Sequence, residues 1–239
     1  MSTGDKQARI AGLSYLVMMV TVGAWYAVGQ SFMARGPAEA VARIQASRQL
    51  FAGVIAVGAI GFVDFLVLGV LLYQLFSPVA LTASRLMLAF VAVSVPVFLV
   101  AVGRQMDILS VLDAVGSVPS LQADQAQLQI AAALQSYRNL FLITTIFSGL
   151  WLIPFGWLVV RRRVMPRVIG GLLMFGSVFY VLTFFGTVFN PQYGSMRVAQ
   201  VIGLSSGIAA QLGELGACLW LLVKGARRHE SVPTRLAPV

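Results

Sequence analysis

One stretch constrains the fold more than any other, because it is too long and too apolar to belong to a water-soluble core. Residues 139–160 run for 22 positions without a formal charge. At ~1.5 Å per residue, a helix of this length crosses the ~30 Å hydrocarbon layer of a bilayer. Arg161, Arg162, Arg163 and Arg167 follow directly. Such a cluster is costly to translocate, so the stretch predicts a membrane span that ends on the cytoplasmic side.

The composition places the rest of the chain in the membrane as well. Hydrophobic residues make up 59% of the sequence and charged residues 10%, whereas soluble domains carry about 25% charged residues. The net charge of +9 is no sign of nucleic-acid binding, because the basic residues stand at the ends of apolar runs. That placement suits anionic lipid headgroups, and the predicted partner is therefore the lipid bilayer.

Counting from charge to charge gives six apolar runs. The sequence predicts an all-α, polytopic membrane helical bundle that forms a single integral membrane domain over residues 1–239. Its six transmembrane helices are predicted at residues 10–32, 51–76, 86–103, 139–160, 168–190 and 198–223.

Six spans put both termini on one side of the membrane, and the basic residues indicate which side. With the N-terminus inside, the cytoplasmic segments hold eleven of the seventeen Lys and Arg residues. This asymmetry predicts an N-in, C-in topology. Residues 226–239 are predicted to form a disordered cytoplasmic tail against anionic lipid.

Two segments on the outer side are longer than turns. Pro37 stands at a plausible first helical position, so residues 38–51 are predicted to extend the second span outward as a helix. Within residues 105–137, turn signals at Gly116, Ser117 and Pro119 precede Ser120, a predicted N-cap. The helix after it is predicted to run into the fourth span. Its apolar face is predicted to hold Leu121, Leu128 and Ala132, opposite Gln122, Gln125 and Gln129.

The strongest candidates for function are Asp64 in the second span and Glu214 in the sixth. An ionised acid at the bilayer centre costs ~2.5 to 3.5 kcal/mol, so something must offset it. The two acids are expected at similar depth. Gly203 and Gly207 form a GxxxG pair on the helix of Glu214, which predicts close helix packing on that face and places Glu214 in a helix interface.

Three roles for these acids remain open. Each acid is protonated and hydrogen-bonded to a neighbour, the two share a proton, or they meet a bound proton or cation in a polar cavity. The first is favoured, because interhelical hydrogen bonds are common in helix bundles. The candidate partners are Gln211, Ser205, Ser206, Tyr180, Thr144 and Ser148.

No catalytic, cofactor-binding or metal site is predicted, and the chain is not expected to be an enzyme. Ser205 lies in a GxSxG pattern, but that motif needs a strand-to-helix turn and a base. The one histidine, His229, lies in the tail, apart from the one cysteine, Cys218, which lies within the sixth span. Zinc needs three or four ligands of this kind.

Three parts of the chain resemble one bacterial family. They are residues 9–16 (RIAGLSYL), residues 150–159 (LWLIPFGWLV) with 165–170 (MPRVIG), and residues 213–216 (GELG) running into 219–225 (LWLLVKG). Together they resemble six-pass membrane proteins known as domain of unknown function 4386. In that pattern a tyrosine stands more often at Trp157 and a serine at Arg162, and residues 105–137 are the least alike. The resemblance implies a helical bundle in a bacterial cytoplasmic (inner) membrane and supplies no catalytic residues.

Two functions follow as expectations. The first is a non-enzymatic integral membrane protein that acts through helix packing with itself, a membrane partner or lipid. The second is a small transporter, or a proton- or cation-coupled carrier, that uses Asp64 and Glu214. A polar cavity that reaches both acids would favour the second.

Overall fold

The computed structural model describes residues 3–33, 36–117, 123–162, 165–190 and 192–225. These residues form seven α-helices and one turn of 3-10 helix, Tyr193–Ser195. The α-helices are α1 (Thr3–Met33), α2 (Pro37–Ala46), α3 (Arg48–Phe76), α4 (Leu81–Ser117), α5 (Ala123–Arg162), α6 (Arg167–Phe189) and α7 (Arg197–Val223). No strand occurs in the described parts of the chain, so the predicted all-α class is confirmed.

Six of the helices are long and apolar enough to cross a membrane, namely all except α2. Large apolar side chains cover their outer faces, as a lipid environment requires. On α7 one such face carries Leu204, Ile208, Leu212, Leu215 and Leu219, which are 40% to 68% exposed. The protein is therefore a multi-pass membrane protein, as the uncharged runs predicted.

The six long helices form a closed ring. Each packs against the next along the chain, from α1 to α3, α4, α5, α6 and α7, and α7 packs back against α1. Aromatic side chains fill the ring, among them Trp151 and Phe155, whose stacked rings lie 5.5 Å apart. Tyr15 of α1 and Phe65 of α3 contact Trp151 across the interior.

Glycine brings α5, α6 and α7 close together. A Cβ on Gly156 of α5 would lie 2.7 Å from the carbonyl oxygen of Gly170 on α6. A Cβ on Gly176 would lie 2.6 Å from the backbone nitrogen of Ala210 on α7. Contacts this short leave no room for a side chain, so these helices meet backbone to backbone.

Helix α2 corrects one prediction. A helix does begin at Pro37, but it ends at Ala46 instead of continuing into the second span. Ser47 breaks the path with φ −138° and ψ 45°, and α3 starts at Arg48. Ala40 and Ile44 are buried, so α2 packs against the bundle, and this burial outweighs the continuity of a single helix.

Helix α4 is longer than the predicted span. The apolar run ends at Gly103, but the helix continues to Ser117, where the turn signals stand. The Arg104 guanidinium bonds to the Asp107 carboxylate at 2.9 Å, one turn further along. A charge marks the edge of the apolar layer and does not end a helix, because charged residues pair well at this spacing.

The predicted apolar face at the start of α5 is wrong. The helix does run straight into the fourth span, but Leu128 is 72% exposed and Ala132 is exposed too. The buried face instead carries Ala126, Ile130, Leu134 and Tyr137. These residues follow the helical repeat as well, and the position of the neighbouring helices decides which stripe is covered. Leu121 and Gln122 lie outside the described residues.

Several predicted features of the helix ends also lie outside the described residues. They are Arg163, Pro119, Ser120, the tail 226–239 and the side chain of Arg162. Arg161 and Arg167 are exposed where α5 turns into α6, at the end of the bundle that holds the start of α1. The N-in, C-in orientation stays a prediction based on the basic residues.

Candidate functional site

Glu214 reaches from α7 to α1. The hydroxyl of Tyr15 on α1 donates to Glu214 Oε2 over a long distance of 3.4 Å. Tyr15 is fully buried, and its ring contacts Trp151 and Phe155 of α5 at centroid distances of 6.3 and 6.4 Å. A carboxyl group from one helix is thus held by a phenol that is itself wedged against a third helix.

Asp64 of α3 also contacts α1, but on a different face of that helix. Ser14 Oγ donates to Asp64 Oδ1 at 3.0 Å. Ser14 and Tyr15 are consecutive residues of α1, so their side chains point about 100° apart around the helix. Helix α1 packs against both α3 and α7 and therefore binds the two acids from opposite neighbours. Neither donor is among the partners that the sequence suggested.

Inside the bundle lies a cavity of about 440 Å³, which we call the cleft, and all six long helices contribute residues to its lining. This volume falls within the ~300 to 1,000 Å³ typical of small-molecule sites. Nine aromatic residues line the cleft: Trp25, Tyr26, Phe62, Phe65, Phe98, Phe141, Trp151, Phe179 and Tyr180. Its polar lining consists of Thr144, Thr145, Ser148, Thr183, Gln211 and Glu214.

The cleft is closed at one end. On the far side of Glu214 the seam between α1 and α7 is sealed by Ala11, Tyr15, Cys218 and Leu221, all fully buried. A Cβ on Gly12 would lie 2.7 Å from the backbone nitrogen of Leu222, and Cys218 Sγ lies 3.5 Å from the Gly12 carbonyl oxygen. Backbone contact of this kind leaves no passage along the seam.

Further along α1 the helix lines the cleft. The lining residues of α1 past Tyr15 include Met19, Val22 and Gly23. Tyr26 is 47% exposed, and a Cβ on Gly23 would meet no atom within 4 Å. The cleft is therefore open beside Gly23 and Tyr26, and its base lies at Glu214.

Glu214 is the one charged residue among the described residues that line the cleft. Gln211 lies one turn before it on α7, and the Tyr180 hydroxyl of α6 faces both side chains. Asp64 does not line the cleft. The cavity thus reaches one of the two predicted acids, and the packing assigns them different surroundings.

The glycine pair on α7 lies beside the same cleft. A Cβ on Gly203 would lie 3.3 Å from the Phe179 ring, and one on Gly207 would lie 3.8 Å from it. The face of α7 that carries these two glycines is therefore covered by an aromatic side chain of α6 in the same chain. This arrangement lets the Phe179 ring form part of the cleft wall.

The three stretches that carry the family resemblance meet at Tyr15. Residues 9–16 contain Tyr15 itself, residues 150–159 contribute Trp151 and Phe155, and residues 213–216 contribute Glu214. Residues 10–225 match the model of the family described as Domain of unknown function (DUF4386). The chain belongs to this family.

Membership of the DUF4386 family fixes no activity, since the family is described by its unknown function. Comparison with curated proteins and with solved structures gives no match. What this family member does must therefore be argued from the geometry of the cleft.

Sequence reasoning found Glu214 and Gln211 but missed Ser14, Tyr15 and the aromatic lining. One signal was present: residues 9–16 and 213–216 both belong to the DUF4386 resemblance, and a polar pair, Ser14 and Tyr15, stands among the otherwise apolar residues 10–20. The aromatic lining had no such signal, because the same residues are equally suited to a packed core.

Metal binding has no support in the described parts of the chain. No three His, Cys, Asp or Glu side chains lie close enough together there to hold an ion. The chemistry available in the cleft is that of one carboxyl group, a few hydroxyl and amide groups, and many aromatic rings. Such groups are able to bind a small molecule, and a carboxyl group is able to exchange a proton.

Proposed function

We propose that this protein is a proton-linked carrier for a small solute, with Glu214 as the residue at which proton and solute exchange. One observation carries this proposal: an ionisable carboxyl group lies at the base of a membrane cleft that is large enough for a small molecule. Ionisable residues inside membrane spans commonly mark substrate or proton pathways, and they face a cavity when they do.

The surroundings of Glu214 suit an exchange. Tyr15 donates a hydrogen bond to the carboxylate, and no lysine, arginine or histidine of the described lining offers a permanent counter-charge. The charge of Glu214 is then balanced either by a proton or by a bound group. The proton and the bound group compete for the same carboxylate, and this competition is the basis of proton-linked binding.

Asp64 has a different role in this proposal. Its carboxylate accepts from Ser14 between α1 and α3 and is not part of the cleft lining, so it joins two helices by a polar contact. Of the three roles that the sequence left open, interhelical hydrogen bonding suits Asp64, and a proton site in a cavity suits Glu214. Proton sharing has less support, because α1 lies between α3 and α7.

Action through helix packing with itself, a partner or lipid has weaker support. Gly203 and Gly207 face Phe179 of the same chain, so they offer no free small-residue surface to another helix. The exposed leucines of α7 suit lipid contact. The expectation that the protein is not an enzyme remains part of the proposal, as does its placement in a bacterial inner membrane.

Infrared titration of the reconstituted protein tests the proposal without a known solute. The carboxyl band of Glu214, assigned by its loss in Glu214→Gln, is expected to change between pH 4 and pH 9. Asp64→Asn serves as the matched control, because Asp64 is the other intramembrane acid and lies outside the cleft. A spectrum in which Glu214→Gln removes no titrating band contradicts the proposal.

A further inference from the structure

From the lining of the cleft we infer the class of solute: a hydrophobic organic cation, with its charge at Glu214 and its apolar body among the aromatic rings. This inference rests on the proposed function and adds the chemistry of the ligand. It follows from the charge, the polarity and the aromatic content of the cleft.

The charge of the cleft selects the sign of the ligand. Glu214 is the one charged side chain in the described lining, and it lies at the closed end. An anion at this position would meet a carboxylate with no basic residue beside it, and a neutral molecule would not replace the proton as the balancing charge. A cation replaces the proton and neutralises the carboxylate inside the bundle, where the attraction between opposite charges is stronger than in water.

The aromatic lining selects an organic cation over a metal ion. Nine aromatic residues surround the space, whereas the described lining holds a single carboxylate, and hard metal ions are held by sets of six or more oxygen ligands in which carboxylates supply the charge. Aromatic rings attract cations through their faces, and this attraction strengthens where water is excluded. They also bury apolar surface, so a ligand with an apolar body gains from both effects.

The remaining polar groups fit the same ligand. Thr144, Thr145, Ser148 and Thr183 are neutral and offer hydroxyl groups along the wall. The hydroxyls of Thr144, Thr145 and Ser148 already donate to carbonyl oxygens of their own helix, at 2.6 to 3.1 Å. Their donor hydrogens are used, so Thr145 and Ser148 present acceptor oxygens to the cleft, which favour a cationic or donor-bearing guest, whereas Thr144 is itself buried.

Acid is expected to release the cation, because a protonated Glu214 no longer attracts it. The titratable groups that face Glu214 are Tyr15 from α1 and Tyr180 from α6, with Cys218 one turn along α7 itself. The residues that α5 contributes to the described lining carry no titratable group. None of these groups carries a positive charge, so the carboxyl group sets the pH dependence of cation binding.

Tetraphenylphosphonium is a suitable probe, because tetraphenylborate has the same shape and the opposite charge. Equilibrium dialysis with the purified protein in detergent is expected to show tetraphenylphosphonium binding at least tenfold tighter than tetraphenylborate binding. Glu214→Gln is expected to remove this preference and Glu214→Asp to keep most of it, which separates loss of charge from misfolding. Asp64→Asn, the matched acid outside the cleft, is expected to change binding less than twofold.

The outcomes separate the ligand class from the proposed function. Equal binding of the two ions, or a preference that survives in Glu214→Gln, overturns the inference of a cation. If the infrared band of Glu214 still titrates in that case, the proton-linked site stands and only the solute class is wrong. A lipid molecule that co-purifies in the cleft and resists displacement by tetraphenylphosphonium also overturns the inference.

Discussion

At the scale of single residues, a few polar contacts stabilise buried polar side chains in apolar surroundings. Gln105 is one of these side chains. Its Oε1 accepts from Trp25 Nε1 at 2.7 Å, and both side chains are buried. Its Nε2 is buried with no hydrogen-bond partner in the described parts of the chain. Because buried amides are costly to leave unpaired, the Trp25 contact accounts for the amide being tolerated there.

Trp25→Phe is expected to lower the free energy of unfolding by about 1 to 3 kcal/mol, because it leaves the whole Gln105 amide unpaired. Gln105→Leu in the Trp25→Phe background is expected to recover part of that loss, because no amide then remains. Denaturation in detergent measures both changes, and the double-mutant cycle isolates the coupling between Trp25 and Gln105.

Trp157→Phe is the control, since Trp157 is 38% exposed and the expected change there is within about 0.5 kcal/mol. Additive effects would show that the hydrogen bond does not matter.

At the scale of elements, the close approach of α5, α6 and α7 depends on which glycines face a neighbour. A Cβ on Gly170 would lie 2.6 Å from the Gly156 carbonyl oxygen and 2.7 Å from Val160 Cγ2. The next residue, Gly171, points elsewhere, and a Cβ there would meet nothing within 4 Å. Two adjacent glycines of one helix thus have opposite structural roles.

Gly170→Ala and Gly171→Ala are therefore expected to change stability in opposite directions. At Gly170 a methyl group forces α5 and α6 apart, with an expected loss of about 1 to 3 kcal/mol. At Gly171 alanine meets no neighbour and improves helix propensity, with an expected gain of up to about 1 kcal/mol. Thermal unfolding of the two variants under identical conditions makes the comparison. Equal effects of the two substitutions would contradict the packing of α5 against α6.

At the scale of the whole molecule, the cleft is closed towards one end of the bundle and open beside α1. The closed end lies beside the start of α1, where Ala11, Cys218 and Leu221 are fully buried. The opening lies beside Gly23 and Tyr26, in the later half of α1, and we call the end of the bundle on that side the open end. If the predicted N-in, C-in topology holds, Glu214 lies towards the cytoplasm and the opening lies nearer the outside of the cell.

Two cysteine variants test this orientation. Ser195→Cys is expected to react with a membrane-impermeant maleimide in right-side-out vesicles, because Ser195 is exposed between α6 and α7 at the open end. Ser77→Cys, between α3 and α4 at the closed end, is expected to react only after permeabilisation. Cys218 is fully buried, so the unmodified protein gives a low background. The reverse pattern of labelling would invert the topology.

The sequence predicted most of the fold, because the property that decides it is local. Apolar runs long enough to cross a bilayer, two of them with one internal acid, located the six spans, and each run lies within one long helix, apart from Asn190, which caps α6. The differences from the sequence prediction lie at the ends of the helices. The continuation of α4 to Ser117, the break at Ser47 and the exposed Leu128 depend on neighbouring elements that a local pattern does not contain.

The candidate site was predicted only in part, and the reason is again physical. Transfer into the bilayer is a property of each segment, so the sequence by itself determined that the chain spans the membrane six times and that Asp64 and Glu214 need polar surroundings. Which helices touch depends on the shapes of residues far apart in the chain. The tertiary structure alone decided which groups donate hydrogen bonds to the two acids: Ser14 donates to Asp64, and Tyr15 donates to Glu214. It alone also decided that an aromatic cleft ends at Glu214.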